Sequence, residues 1–187
     1  MNSQLMFMCG KWTLVFLAAF VHVRSTAACT QGDLGIQDQD PWETLSEEEA
    51  AVKELFGQFR SGEYSAHRFP VLAWDDIPAL LKMAESKRKL TAFPRNPLSS
   101  QYVEESREGV IALWLIEGLR MGGKYPSLNA LCLDKRATAE RDLEAQSRAN
   151  HDGALKQYTN WWTTNQMRPK EEAQQDNPLK GTFYSWY

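Results

Sequence analysis

Apolar residues recur along this chain at helical spacing in separate blocks, each framed by residues that start or stop helices. Ser46 with Glu49 three positions on forms a capping box. Val52, Leu55, Phe56 and Phe59 then follow at i, i+3, i+4, i+7, and Gly62 closes the block. Glu47, Glu48 and Glu49 crowd the first turn, where the helix dipole favours negative charge. A second block opens at Trp74-Asp75-Asp76-Ile77-Pro78, an Asp cap with Pro in the first turn. It continues through Ile77, Leu80, Leu81 and Ala84, and the basic run Lys87-Arg88-Lys89 suits its C-terminal end. The third block is read from Ser99 or Ser100 to about Met121, a helix over about 101–121. Its first half is amphipathic, and Val110 to Leu119 is apolar nearly all round, the signature of a central helix packed on several sides. Gly109 and Gly118 inside it are costly unless a neighbour approaches closely, and Gly122-Gly123 stops it.

Beyond this helix the pattern loosens. Ala139 to Ala149 is helix-compatible but polar, so it reads as a weakly packed helix or an exposed loop. Asp152 then caps a last helix with Leu155, Tyr158 and Trp162 on one face. Asn177-Pro178-Leu179-Lys180-Gly181 is a turn. Phe183 to Tyr187 is an aromatic end expected to dock on the core. No run alternates with period two, so no substantial sheet is expected. The predicted class is mainly α: a compact multi-helix domain of α-hairpins around the central apolar helix.

The N-terminus changes the picture of where the chain works. Lys11 precedes the apolar run Trp12–Val23, and Ser25-Thr26-Ala27-Ala28 supplies small residues for cleavage, so residues 1–28 read as a signal peptide. The run spans about 18 Å as a helix, too short for a hydrocarbon core of ~30 Å. Thr26-Ala27-Ala28-Cys29 also resembles a relaxed bacterial lipobox. The mature chain then either begins at an acylated Cys29, its only route to a membrane, or is released soluble after Ala28. Residues 29–44 form a polar tether and 45–187 a single helical domain. After cleavage, 19 basic residues face 24 acidic ones, a formal charge of −5. With no basic patch interleaved with aromatics, nucleic-acid binding is excluded. Cys132, in the apolar run Leu131-Cys132-Leu133, reads as a buried structural thiol.

Candidate chemistry is sparse. There is no nucleophile elbow, phosphate loop, zinc signature or dinucleotide fingerprint. His67 and His151 lack metal-ligand spacing to a second His or Cys, and both read as surface or loop residues. No catalytic residue, metal or cofactor is assigned. Glu117 and Arg120 are the one charged pair in the apolar helix. At i, i+3 they can pair and tie the helix to a flanking loop such as Pro94–Ser100, or Glu117 can line a cleft as a tuned carboxylate. Ser99-Ser100 is better read as a helix cap than as a nucleophile, because no base accompanies it. Trp161 and Trp162 point about 100° apart on a helix, so one packs while the other is partly exposed and suits a sugar or protein contact.

Phe93-Pro94-x-Asn96-Pro97-Leu98-Ser99-Ser100, Ala112-Leu113-Trp114-x-Ile116-Glu117-Gly118-x-Arg120, Tyr125-Pro126-Ser127-Leu128-Asn129 and Trp161-Trp162 together resemble a family of small exported bacterial proteins of unknown function. Asn177-Pro178-Leu179 and Tyr184-x-Trp186 fit the same pattern, and the resemblance covers about Asp75 to Tyr187. It implies a helical domain behind a signal or lipoprotein peptide and brings no activity with it. The expectation is an exported protein of the periplasm or outer envelope, acting as a non-catalytic binding or accessory module. Glu117, Arg120, Trp161 and Trp162 are its candidate contact residues, and an envelope protein or glycan is its partner. The alternative is a hydrolase or lyase whose acids come together from separate segments, with Glu117 and Asp75 or Asp76.

Overall fold

The computed structural model describes residues 46–65, 67–100, 103–136 and 142–187. The segments read as signal peptide and tether, with Cys29, lie outside the described residues, as do residues 101–102 at the expected start of the central helix. Within them the chain is mainly α, with five α-helices and two small two-stranded sheets.

Helix α1 spans Glu47–Ser61, and its capping box forms as expected. The Ser46 hydroxyl accepts from the Glu49 N–H, and the Glu49 carboxylate accepts from the Ser46 N–H, each at 3.3 Å. Gly62 ends the helix at φ 75°, a left-handed conformation that glycine adopts without steric cost. Val52, Phe56 and Phe59 face the core, and Phe56 and Phe59 meet edge to face.

A single 3₁₀ turn at Trp74–Asp76 leads into α2, Ile77–Met83, with Ile77, Ala79, Leu80 and Met83 buried. This helix stops short of Lys87-Arg88-Lys89. The chain instead turns outward, and Lys89–Leu90 forms strand β1. β1 pairs antiparallel with β2, Ser106–Arg107, in the register Lys89↔Arg107 and Leu90↔Ser106.

The central helix α3 runs Glu108–Arg120, so it begins about seven residues later than the expected start near residue 101. The reason is how the N-terminal backbone is satisfied. Arg107 at the cap position offers no side-chain cap. The Glu108 and Gly109 N–H groups donate instead to the Arg88 and Ser86 carbonyls, at 2.9 and 3.2 Å. Ser99 is committed elsewhere: its hydroxyl lies 3.1 Å from Asn129 Oδ1. Every residue from Glu108 to Leu119 is buried, as a helix packed on all sides requires. α2 and α4 pack along it, and α5 touches its C-terminal end. The two internal glycines mark close approaches. A Cβ on Gly109 would collide with the Ala84 carbonyl and the His151 ring, and one on Gly118 would collide with the Phe69 ring.

Strand β3, Cys132–Asp134, precedes the long helix α4, Leu143–Asn165. α4 joins the two segments read separately in the sequence. Its cap is Asp142, whose carboxylate accepts from the Ala145 N–H at 2.9 Å, and Asp152 lies inside the helix. A buried stripe at Ser147, His151, Ala154, Tyr158, Trp161 and Asn165 holds it to the core. Trp161, not Trp162, is therefore on the packed face, and His151 is fully buried rather than at the surface. Helix α5 spans Lys170–Gln175. The aromatic terminus docks as β4, Tyr184–Trp186, antiparallel to β3, and the Tyr187 backbone bonds to Leu131 and Asn129 at 3.0 and 2.7 Å.

Candidate functional site

The residues that carry the family resemblance fall mostly into two clusters. The first joins the loop around Phe93–Ser100 to the loop around Tyr125–Asn129. The Trp114 indole donates to the Ser127 hydroxyl at 2.7 Å, which donates to the Asn129 carbonyl at 2.6 Å. The Asn96 amide donates to the Ser127 carbonyl at 3.0 Å, and Ser99 reaches Asn129. The void between these loops, against Trp114 and Val103, is about 10 Å³, room for about one water and no ligand. This cluster is a clasp that fixes two irregular loops against α3. Neither Ser99 nor Ser100 has a His within it.

The second cluster surrounds Glu117. Its Oε1 accepts from Arg120 Nη2 at 2.7 Å, and its Oε2 accepts from Arg120 Nε at 2.9 Å and from the Tyr158 hydroxyl at 2.8 Å. That hydroxyl in turn accepts from the Trp186 indole at 2.8 Å. The remaining guanidinium arm, Nη1, donates to the Gln174 carbonyl at 2.6 Å, and the Gln174 amide returns to the Leu119 carbonyl at 3.2 Å. The pair is thus a fork-to-fork bridge with side chains only 13% and 7% exposed for Arg120 and Glu117. It ties α3 to α4, α5 and β4, not to the Pro94–Ser100 loop. Burial and the neighbouring Glu117 charge hold the Tyr158 hydroxyl well above the usual tyrosine range, so it stays protonated and donates. The hydrogen bond to Glu117 raises Arg120 further.

This network floors an open cleft of about 280 Å³. One wall is the β3–β4 end, with Lys135, Tyr184, Ser185 and Trp186. The other is the turn after α5, with Asn177, Leu179 and Lys180, and Pro126 closes one side. Glu117 is the only carboxylate among the described residues lining it, and both of its oxygens are occupied. Lys135 and Lys180 are exposed. The nearest described carboxylates in sequence, Asp134 and Asp176, are engaged elsewhere. Asp134 forms a two-pronged bridge with Arg136, which draws its carboxyl down to about 2. Asp176 accepts from the Asn165 amide at 3.2 Å and lies 4.0 Å from Arg168. The backbones holding both lysines are fixed: Lys135 N–H donates to the Phe183 carbonyl at 2.9 Å, and Lys180 N–H donates to Asn177 at 3.0 Å.

The other candidates lie apart from this floor. Trp161 is buried against Trp74, Tyr158 and Trp162, and its indole N–H has no partner among the described residues. It walls a second cleft of about 210 Å³ with Gln157, Asn160 and Asp176, which shares Asn177 with the first. Trp162 is half-buried and meets Trp74 at a tilt of 58°. Asp76 accepts from the Ala73 N–H at 2.6 Å, and Asp75 is exposed. Neither lines the Glu117 cleft. His67 is exposed. Buried His151 places Nε2 2.7 Å from the Ala84 carbonyl, so Nε2 carries the proton. Its Nδ1 then accepts from Lys87 at 3.3 Å, and Lys87 also bridges to Asp152. Burial holds this imidazole below its ordinary value. Burial pushes the Cys132 thiol up to about 12, so it is inert. Among the described residues, no group of His, Cys, Asp or Glu is placed to hold a metal ion.

The lysines were not legible from sequence, because single lysines in polar turns carry no pattern. Trp186 and Tyr184 were visible only as closing aromatics. A family model described as a domain of unknown function, DUF4943, matches residues 46–187, a longer span than the motifs alone cover. No curated protein and no solved structure matches.

Proposed function

Because the chain belongs to this domain family of unknown function, we propose its role from its own chemistry: a non-catalytic binding or accessory module exported to the bacterial cell envelope. One observation carries the choice between binding and hydrolysis. General acid–base or nucleophilic work needs a carboxylate free to exchange a proton or attack, usually beside a second one. Glu117 lines a cleft, yet Arg120 and Tyr158 occupy both of its oxygens, and among the described residues no second carboxylate lines that cleft. A carboxylate held this way fixes the floor of a site. Export rests on the Lys11, Trp12–Val23 and Ser25–Ala28 pattern in the sequence.

Two measurements test this reading. The purified domain is incubated with envelope glycans, peptides and esters, and no turnover is expected. Hydrolysis that disappears in Glu117→Gln would replace binding with the hydrolase or lyase alternative. Separately, the full chain is expressed in a bacterial host, fractionated and its N-terminus weighed. Release after Ala28, or acylation of Cys29, supports export, while an uncut cytoplasmic chain overturns it.

A further inference from the structure

We propose that the cleft over Glu117 binds a single anionic saccharide unit, its carboxylate or phosphate held between Lys135 and Lys180 and its ring packed on Trp186. The inference rests on the binding-module reading above and names its ligand class.

Charge is the first argument. The protein is acidic overall, with a formal charge of −3 for the whole chain. Yet among the described residues lining this cleft there are two lysines and a single carboxylate, and Arg120 already neutralises that one. The nearest described carboxylates in sequence, Asp134 and Asp176, are engaged by Arg136 and by Asn165 and Arg168. Among the described residues, neither Lys135 nor Lys180 has a side-chain partner. Two lysines without a side-chain partner among the described residues, beside a carboxylate that is already neutralised, give the cleft a positive potential, and anions are drawn to it.

Shape and composition are the second. At about 280 Å³ the cleft lies at the small end of ligand sites, suited to one ring and its charged substituent rather than a long polymer segment. The half-buried Trp186 spends its indole N–H on Tyr158, so its rigid apolar surface is what it offers the cleft. Asn177 and Ser185 supply neutral hydrogen-bonding groups for hydroxyls. An aromatic surface, amides, hydroxyls and paired cations together match a charged sugar better than an apolar or a cationic ligand.

The third is preorganisation. The floor is locked by the Arg120–Glu117–Tyr158–Trp186 chain of hydrogen bonds; the Lys135 backbone is tied across to Phe183, and Lys180 closes a turn onto Asn177. A site whose walls are fixed before binding loses little entropy on binding.

The test is calorimetric titration of the full domain with two matched pairs. N-Acetylmuramic acid and N-acetylglucosamine differ by a lactyl carboxylate. Glucose 6-phosphate and glucose differ by a phosphate. At least one acidic member is expected to bind, weakening with added salt, while its neutral partner does not. Which acid binds identifies the anion. Lys135→Gln and Lys180→Gln are surface changes that leave the thermal midpoint in place. Each is expected to weaken binding roughly tenfold, and the two together roughly a hundredfold. Neutral sugars binding as tightly as the acids, or a double variant that binds normally, overturns the anion assignment while leaving a binding module. No binding by any of the four overturns the charged-saccharide ligand. Cleavage of a probe overturns the non-catalytic reading itself.

Discussion

The Glu117–Arg120 bridge makes a quantitative claim that a double-mutant cycle can test. In Glu117→Gln, one carboxylate oxygen becomes an amide donor and faces either the Arg120 fork or the Tyr158 hydroxyl, both of which donate. The guanidinium keeps the Gln174 carbonyl at 2.6 Å and the one remaining amide oxygen, but loses its charged partner. Removing one partner of a buried pair costs about 3–5 kcal/mol. Arg120 retains these neutral acceptors and a little solvent contact, which places this variant at the low end, about 3 kcal/mol. Arg120→Met leaves Glu117 with only the tyrosine hydroxyl and costs a similar amount, about 3 kcal/mol. The double variant leaves no unpaired buried charge, so it falls to about 3–4 kcal/mol rather than the sum of the singles, a coupling of about 2–3 kcal/mol. Urea unfolding followed by tryptophan fluorescence reads this directly. At a slope of about 2 kcal/mol/M, each single variant shifts the midpoint by about 1.5 M. Additivity within about 0.5 kcal/mol, or a Glu117→Gln cost below about 1 kcal/mol, would refute the reasoning. Glu117 would then be energetically free, and the case for a fixed, non-catalytic floor would fail with it.

The same glycine-to-alanine change has opposite expected signs at two helical sites. Gly57 in α1 has open space where a Cβ would go, so Gly57→Ala stabilises by about 0.5–1 kcal/mol. Gly118→Ala drives a methyl into the Phe69 ring and within 2.8 Å of the Lys124 carbonyl, and destabilises by about 2 kcal/mol. Thermal melts of the two variants side by side check this, and equal signs would sink it. His151 predicts a pH effect. The unfolded imidazole takes up a proton near 6.5, while the folded ring, held lower by burial, resists it. The unfolded state therefore binds more protons, and stability is lost as pH falls below 6.5. The stability gap between the wild type and His151→Gln, from urea midpoints, should shrink from about pH 7.5 to about pH 5.5. A constant gap contradicts the assignment.

What could be read in advance tracks how local the determinants are. α1 was legible to its last residue, because Ser46, Glu49, Val52, Phe56, Phe59 and Gly62 all act within the helix itself. The start of α3 was not, because its cap is two carbonyls, of Ser86 and Arg88, some twenty residues away, and because Ser99 serves Asn129 instead. α4 was split in two for a different reason. Its buried stripe runs through Ser147, His151 and Asn165, which a hydropathy pattern counts as solvent-facing. Their polar atoms are satisfied inside the protein: Ser147 by the Cys132 N–H, His151 by the Ala84 carbonyl, and Asn165 by the Trp161 carbonyl. The strands have two or three residues each, too few for a period of two to register. The candidate site divides the same way. Glu117 and Arg120 announced each other at i, i+3, but Tyr158 and Gln174 come from helices 41 and 54 residues on. Lys135 and Lys180 acquire meaning only when the fold shows which carboxylates their neighbours have already claimed. A lysine's availability is a property of every acid around it, so the cleft's positive charge exists as a feature of the tertiary structure and of no single segment.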